Sequence, residues 1–524
     1  MSDIAVRNKN VVVNIASDGL EEEIIGTVDS DVSVYHKRIK RYISEFLHDT
    51  VCGRIFFNVC YKRSVVHSDV VDTVLYNVER DEAGNVKKTE VATSEVSPLN
   101  KGYREMLRRN IDIIQMALEE CRNYGVEVWL SVRMNDHHFP NDRSFNSTMG
   151  YDKADSLGVN GSRTYLDFTK KEVQSYYKAY IKELCERYVI NGIELDFLRS
   201  CPIMSESTPE NIKNINSFVG ELREITKGAN PNIQMAARVY PTVKKNMGFG
   251  IDAAQWIADG YIDLLTVENW YIPTYYNIPV EEWREIINSR NTMKNPYTLL
   301  CGTDWAVSCD ESPKHKKNMW ISLEQLKGFA SGAYSRGADG IYLFNHFNTD
   351  DECHRDNNMG LFTCYIDEKG NKVSERVLKK KINSANSLED AESGMRTYVN
   401  TYDENNPYPI EIANQKFFEF VLNTGSKPQK YYHILVGTDE DADVFVDVNE
   451  TKTKRIENIK AQKGLNFDEN SAGFEFIEHI SETAACVMQF EADLSSVTSG
   501  FNSFKIASGK EKLCKVRWIE IQAE

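Results

Sequence analysis

The chain has 524 residues, and at about 100 to 200 residues per domain that length excludes a single small domain. With 41% hydrophobic and 27% charged residues and only 29 Gly and 13 Pro, the composition is that of a globular chain able to bury sizeable cores, not a disordered or fibrous one. The 62 Lys and Arg against 78 Asp and Glu leave a net charge of −16, which argues against nucleic acid or an anionic membrane as partner.

The opening segment MSDIAVRNKNVVVNIASDG has no basic start, no apolar stretch of signal-peptide length and no small-residue cleavage site. No segment approaches the roughly 20 apolar residues of a membrane span. A cytoplasmic protein is the expectation. The 11 cysteines are scattered without a CxxC pair, and they read as reduced core thiols rather than a disulfide framework or a zinc site.

From residue 11 to about 347, short apolar runs rich in β-formers alternate with helical patterns. Eight runs are predicted as strands: Val11 to Ala16, Arg54 to Tyr61, Val126 to Met134, Gly192 to Phe197, Ile233 to Tyr240, Ile262 to Trp270, Tyr297 to Trp305 and Gly340 to Phe347. Eight βα units predict a (β/α)8 TIM barrel. Thr169 with Glu172, and Ser322 with Gln325, fit capping boxes. Thr208-Pro209 fits an N-cap followed by Pro at the first helical position. Ile212, Ile215, Phe218, Val219, Leu222 and Ile225 share one helical face.

Two connections exceed what a barrel needs, 64–101 and 136–168. The first reads as a hairpin around Glu82 to Asn85. Both follow strand C-termini, which places them over the barrel mouth. Val373 to Asn386 reads as the closing helix. Beyond it the pattern turns strand-rich (FFEFVLN, YYHILVG, ADVFVDV, FEFIEHI, ACVMQFEA, FNSFKIAS, KVRWIEIQ), which predicts a β-sandwich over 388–524 after a barrel over 1–387. The sandwich is either a carbohydrate-binding module or a structural cover for the barrel's flank.

In a TIM barrel the working residues sit at strand C-termini. Those ends carry Asp18, Asn58, Arg133, Asn135, Asp136, Glu194, Asp196, Arg199, Arg238, Tyr240, Glu268, Trp270, Asp304, Trp305, Asn345 and His346. So many charges in a closed core would cost several kcal/mol each, so a mouth that binds something polar explains them better. In Gly192 to Arg199, period-two alternation sends Glu194 and Asp196 into the barrel. Glu194, the deeper, reads as a structural anion neutralised by Arg133 and Arg238, and Asp196 as a catalytic carboxylate. Carboxylates beside Trp129, Trp270, Trp305, Tyr240 and Tyr271 suit a sugar, whose apolar ring faces stack on aromatics. The segment Ala16-Ser17-Asp18-Gly19 is acidic with one glycine, which disfavours a dinucleotide site. Asp136-His137-His138 is the one metal-like cluster, and adjacent histidines on an extended segment face opposite ways.

Arg133-Met134-Asn135-Asp136-x-His138, then Leu166-Asp167-Phe168 with Glu172-Val173, then Glu186 to Tyr188 running into Asn191 to Arg199, resembles the bacterial family-10-like glycoside-hydrolase TIM barrels. The resemblance covers about residues 10 to 350, with its specific motifs within 131 to 199, and implies a carbohydrate-active barrel. A looser similarity runs to chitinases, but Leu198 stands where their proton donor would be.

The expectation is a retaining, exo-acting glycoside hydrolase with an oligosaccharide substrate and no cofactor. Asp196 is its nucleophile, and Glu268 or else Asp304 its acid/base. Arg133, Asn135, Asp136, His138, Glu194, Arg199, Arg238, Tyr240, Trp270, Trp305, Asn345 and His346 bind substrate. Two alternatives stay open: a carbohydrate-binding barrel without catalysis, and a metal-dependent hydrolase or isomerase using Asp136, His138 and Asp196.

Overall fold

The structure, a computed structural model, describes residues 6–17, 19–21, 31–91, 100–136, 138–143, 145–199, 201–270, 274–307, 317–345, 362–366, 372–376, 378–401, 408–426, 430–440, 442–460, 475–477 and 484–524. Eight strands overlap the eight predicted runs: β1 (Asn8–Ile15), β2 (Cys52–Asn58), β3 (Glu127–Arg133), β4 (Gly192–Asp196), β5 (Gln234–Val239), β6 (Leu264–Val267), β7 (Thr298–Thr303) and β8 (Gly340–Phe344). They close into a barrel of order β1-β8-β7-β6-β5-β4-β3-β2, so each strand lies beside its sequence neighbour. This is the predicted TIM barrel.

Register stacks the inward-facing residues in layers. Phe56, Trp129 and Gly192 share the deepest of these on β2 to β4, where the Phe56 and Trp129 rings stack 4.8 Å apart. A Cβ at Gly192 would overlap the Trp129 ring, so only glycine lets that ring lie across β4. Asn58, Ser131, Glu194 and Ala236 form the next layer, and Arg133, Asp196, Arg238 and Thr266 the one above. Above this aromatic layer the interior becomes charged toward the strand C-termini.

Helix starts follow local chemistry, with one correction. The Thr208 side chain caps Pro209–Ala229, and Ser322 with Gln325 forms the predicted capping box on Leu323–Ser335. Thr169 does not cap the next helix, Lys171–Arg187, which starts at Lys170 without a side-chain cap. The Thr169 hydroxyl is already bonded to Asp167 Oδ1 at 2.6 Å, and Glu172 pairs with Lys153 at 2.6 Å instead.

The 64–101 insertion contains the predicted hairpin, Tyr76–Arg80 against Val86–Glu90. Buried Arg63 ties it to the 136–168 insertion: Nε donates to the Asn146 carbonyl (2.8 Å), Nη1 to the Thr73 carbonyl (3.0 Å) and Nη2 to Asn77 Oδ1 (2.7 Å). Asp72 adds a second tie, accepting from the backbone of Val78 and of Thr148. The two insertions thus form one wall.

The expected closing helix over Val373 to Asn386 is only half helical. Lys372–Arg376 is a strand paired antiparallel with Phe362–Ile366, and the helix is limited to Leu378–Ser384. The backbone register sets Val373 opposite position 365, and valine by its propensity favours strand over helix.

The C-terminal region holds two antiparallel sheets. One runs Arg396–Val399, Cys514–Ala523, Tyr432–Thr438, Cys486–Glu491, Lys454–Lys460, with Ile410–Ile412 also on Cys514–Ala523. The other runs Phe418–Asn423, Phe501–Ser508, Val444–Val448, Thr451–Lys452. The Tyr432 ring of the first lies parallel to the Phe504 ring of the second, 6.3 Å away, and Phe420 stacks on Phe504 at 5.0 Å. This is a β-sandwich. One predicted sandwich strand goes elsewhere: Glu475–Ile477 pairs in parallel with Lys317–Trp320, which in turn pairs with Ala306–Val307.

The chain divides into two compact units, Met1–Trp270 with Glu281–Leu300, and Tyr271–Val280 with Cys301–Glu524. The second gains its barrel portion because helix Leu323–Ser335 packs on strand Arg396–Val399. Ser331 Oγ reaches Glu392 Oε1 (3.1 Å) and the Tyr398 hydroxyl (3.2 Å), and a Cβ at Gly328 would overlap the Thr397 carbonyl. Among the described residues no helix is long and apolar enough to cross a membrane. The eight cysteines with described side chains are free thiols, seven of them buried.

Candidate active site

The site is built on adjacent strands β3 to β6. Arg238, the last inward residue of β5, reaches both neighbours: Nη1 donates to Asp196 Oδ2 at 3.2 Å and Nε to Glu268 Oε2 at 2.8 Å. All three side chains are at most 2% exposed. Two buried carboxylates thus share one guanidinium. Burial pushes the Glu268 carboxyl above its ordinary value, with the Asp196 charge adding to the rise, and the opposing pull of Arg238 and Arg199 does not cancel it. Glu268 Oε1 is sealed from solvent and has no hydrogen-bond partner among the described residues. A Glu268 that holds its proton is what this environment favours.

Asp196 keeps its second oxygen close to home, with Oδ1 accepting from the Leu198 amide at 3.1 Å. That local turn folds the chain so that Leu198 is buried instead of projecting into the mouth. Glu194, one layer deeper and fully buried, accepts from Ser131 Oγ at 2.6 Å.

A second cluster sits at the end of β3. Arg133 Nη1 meets Asp136 Oδ2 at 2.8 Å, while Asp136 Oδ1 takes both the His138 ring Nδ1 (2.6 Å) and the His138 amide (2.8 Å). Burial opposes the ionisation of Asp136, but the charges of His138, Arg133 and Arg199 and the His138 hydrogen bond outweigh it and hold the carboxyl well below the usual range. The Arg133 guanidinium lies 5.1 Å from the Tyr61 ring centroid, and Tyr61 stands edge-on to His138 at 6.1 Å. Among the described residues no three His, Cys, Asp or Glu side chains are grouped to hold a metal ion. The Asp136, His138 and Asp196 set of the metal alternative is instead occupied by arginines and by its own members.

Of the other expected binding residues, Asn135 spends both ends of its amide on the Leu166 backbone, accepting at 2.9 Å and donating at 3.2 Å, so it staples the second insertion down. Arg199 is buried, and its carbonyl accepts from the Trp270 indole at 3.3 Å, which orients a ring that is 37% exposed. Buried Tyr240 has its backbone fixed by Asn246 and its ring 5.0 Å from Lys245 Nζ. In the second unit, buried Asp304 accepts from the Trp305 amide at 2.8 Å, and Asn345 holds a left-handed backbone (φ 52°). Asp18, His137, Tyr271 and His346 lie outside the described residues.

Sequence reasoning missed Tyr61, Lys62 and Thr266. Tyr61 and Lys62 come just after β2, beyond the Asn58 at which the polar ends of that run were counted. Thr266 sits inward beside Arg238 with its hydroxyl buried.

The fold and these side chains define a TIM barrel with a polar, carboxylate-bearing mouth, joined to a β-sandwich. No family model matches the chain, and no curated protein matches it. Among solved structures it is similar to an endo-1,4-β-mannanase from Rhizomucor miehei, at 14% identity and TM-score 0.38 over 65% of this chain and 86% of that one. It is also similar to α-L-fucosidase isoenzyme 1 from Paenibacillus thiaminolyticus, at 10% identity and TM-score 0.34 over 97% of each chain. A β-hexosaminidase from Streptomyces plicatus matches at 10% identity and TM-score 0.34 over 67% of this chain and 60% of that one. All three are glycosidases by name, and at these identities the likeness is one of fold.

Proposed function

We propose that the chain is a glycoside hydrolase that removes sugars from the end of an oligosaccharide inside the cell, with its barrel over 1–387 and its sandwich over 388–524. The observation that carries this reading is Arg238 bridging Asp196 and Glu268. Shared between two carboxylates, its charge sits against Asp196, the nucleophile of this reading, while burial leaves Glu268 inclined to hold a proton, the division of labour that a glycosidase pair requires.

In the first step an Asp196 oxygen bonds to the anomeric carbon as the glycosidic bond breaks. Glu268 gives its proton to the leaving oxygen. Each Asp196 oxygen keeps a lone pair beyond the contact it makes to Arg238 or to Leu198. In the second step Glu268, now ionised, takes a proton from water as that water displaces Asp196, which restores both groups. Asp304 is the second candidate for the acid/base role. In this reading Trp270 and Trp305 are the residues that stack on sugar rings, and the wall made of the two insertions favours a pocket over an open cleft. The resemblance to family-10-like barrels rests on motif residues within 131–199 alone.

The test is a panel of nitrophenyl glycosides and natural oligosaccharides. Glu268→Gln should lower kcat by about 10²- to 10⁴-fold on natural substrates and much less on nitrophenyl glycosides, whose leaving group needs no proton. Because Glu268 must start protonated, kcat/KM should fall as pH rises through its raised value. Asp196→Asn with undiminished turnover would end the proposal. Early release of mid-sized fragments from an oligomer would end the exo assignment.

A further inference from the structure

Phe139 lies at the start of the 136–168 insertion, directly after His138, and is 47% exposed. Contacts fix its place at the mouth. Arg133, the last inward residue of β3, is bonded to Asp136, Asp136 is bonded to His138, and the His138 ring lies 6.3 Å from that of Phe139. The backbone at Phe139 is left-handed, with φ 45°. A bulky residue at positive φ is an outlier, in a conformation that glycine or asparagine adopts at much lower cost. Buried Asn146 holds it there, its Nδ2 donating to the carbonyls of Phe139 (2.9 Å), Pro140 (3.1 Å) and Asp142 (2.8 Å). Arg63 in turn holds the Asn146 carbonyl at 2.8 Å. The Phe139 ring packs on Phe145 at 4.8 Å, so it is supported on one side while much of it meets solvent. A single exposed aromatic is ordinary, but one kept in a strained backbone by a dedicated clamp is not, because such strain gathers at ligand-binding positions.

We propose that Phe139 is the stacking platform of a second sugar subsite, so that the mouth recognises a glycan over at least two pyranose rings. The assignment rests on the glycosidase reading and deepens it. Trp270, 37% exposed, stands just beyond Glu268 at the end of β6, and Phe139 beyond Arg133 at the end of β3. In barrel order β4 and β5, which carry Asp196 and Arg238, lie between those strands. Two accessible rings flanking Asp196 and Arg238 give one sugar to each side of the bond that Asp196 attacks. A pyranose presents C–H groups on its faces and hydroxyls around its rim. Phe139 offers the apolar face, and the His138 side chain beside it, 29% exposed, offers a polar edge.

The test is calorimetric titration with cellotriose, mannotriose, xylotriose, chitotriose and maltotriose, each against its own monosaccharide. The full chain carrying Glu268→Gln is used, so that no probe is consumed during the measurement. At least one triose should bind about tenfold or more tighter than its monosaccharide. Adding Phe139→Asn, which removes the ring but accepts the left-handed backbone, should weaken that triose by about tenfold, and Phe139→Tyr, which keeps the ring, should stay within about threefold. The melting temperature of Phe139→Asn should match that of its parent, since the ring serves the ligand and not the fold. No triose bound more tightly than its monosaccharide, undiminished triose binding in Phe139→Asn, an equal loss in Phe139→Tyr, or a clear fall in the Phe139→Asn melting temperature would each overturn the proposal. Failure is distinguishable from that of the parent reading. Oligosaccharide turnover by the chain with native Glu268 whose KM ignores Phe139→Asn sinks the platform alone, whereas Phe139-dependent triose binding without turnover of any glycoside sinks the hydrolase and spares the platform.

Discussion

Replacing Arg238 by methionine isolates the central electrostatic feature of the mouth. The guanidinium makes contacts of 2.8 Å to Glu268 and 3.2 Å to Asp196, and neither carboxylate can turn to solvent because each is about 1% exposed. Removing one partner of a buried ion pair costs about 3–5 kcal/mol, since the remaining charge is stranded rather than rehydrated. Here two charges are stranded, but Glu268 can relieve its share by taking up a proton. Its folded-state value already lies above the unfolded one, so over that interval the folded chain holds more protons than the unfolded chain. The stability associated with that proton is fully present below the unfolded value and is lost as pH rises through the folded value. Arg238→Met raises the folded value further. Its destabilisation should therefore be near the full 3–5 kcal/mol at pH 7.5 and smaller at pH 5, as measured by urea unfolding with Trp fluorescence. Adding Glu268→Gln should recover part of the loss at pH 7.5, about 0.5–3 kcal/mol of coupling, because an amide needs no counter-charge. A cost equal at both pH values, or a double variant as unstable as the sum of the singles, would refute this account of the shared guanidinium.

Three further outcomes follow from single contacts. Ser322→Ala should cost about 1 kcal/mol by removing the capping box, whereas Thr169→Ala, which caps nothing, should leave the helicity of Lys171–Arg187 intact; far-UV circular dichroism and urea melts compare the two. Gly328→Ala should destabilise by about 1–3 kcal/mol in the same melts, because its methyl would meet the rigid Thr397 carbonyl rather than a mobile side chain. Asp136→Asn should cost about 3–5 kcal/mol at pH 7 by stranding Arg133, with the gap to the unaltered chain closing as pH falls below about 4; the depressed Asp136 value makes its stabilisation present above the unfolded value and lost on acidification, and an equal gap at pH 3 would contradict this.

The sequence alone determined the barrel, because its information is local and repeated. Each strand is a short β-rich run, each crossover a 3.6-period helix, and eight such units close in one common way. It also determined which residues of β4 face inward, since period two put Glu194 and Asp196 on the lumen side of that strand. Local reading failed where a residue had a competing partner. Thr169 looked like a cap but is held by Asp167, Glu475–Ile477 looked like a sandwich strand but pairs with Lys317–Trp320, and Asn135 looked like a ligand contact but staples Leu166. Only the tertiary structure decided that Arg238 serves two carboxylates and that Asp136 is shared between Arg133 and His138. Pairing among buried charges depends on ångström distances between side chains brought in from different strands. Periodicity along the chain says which face a charge lies on, but not which neighbour neutralises it.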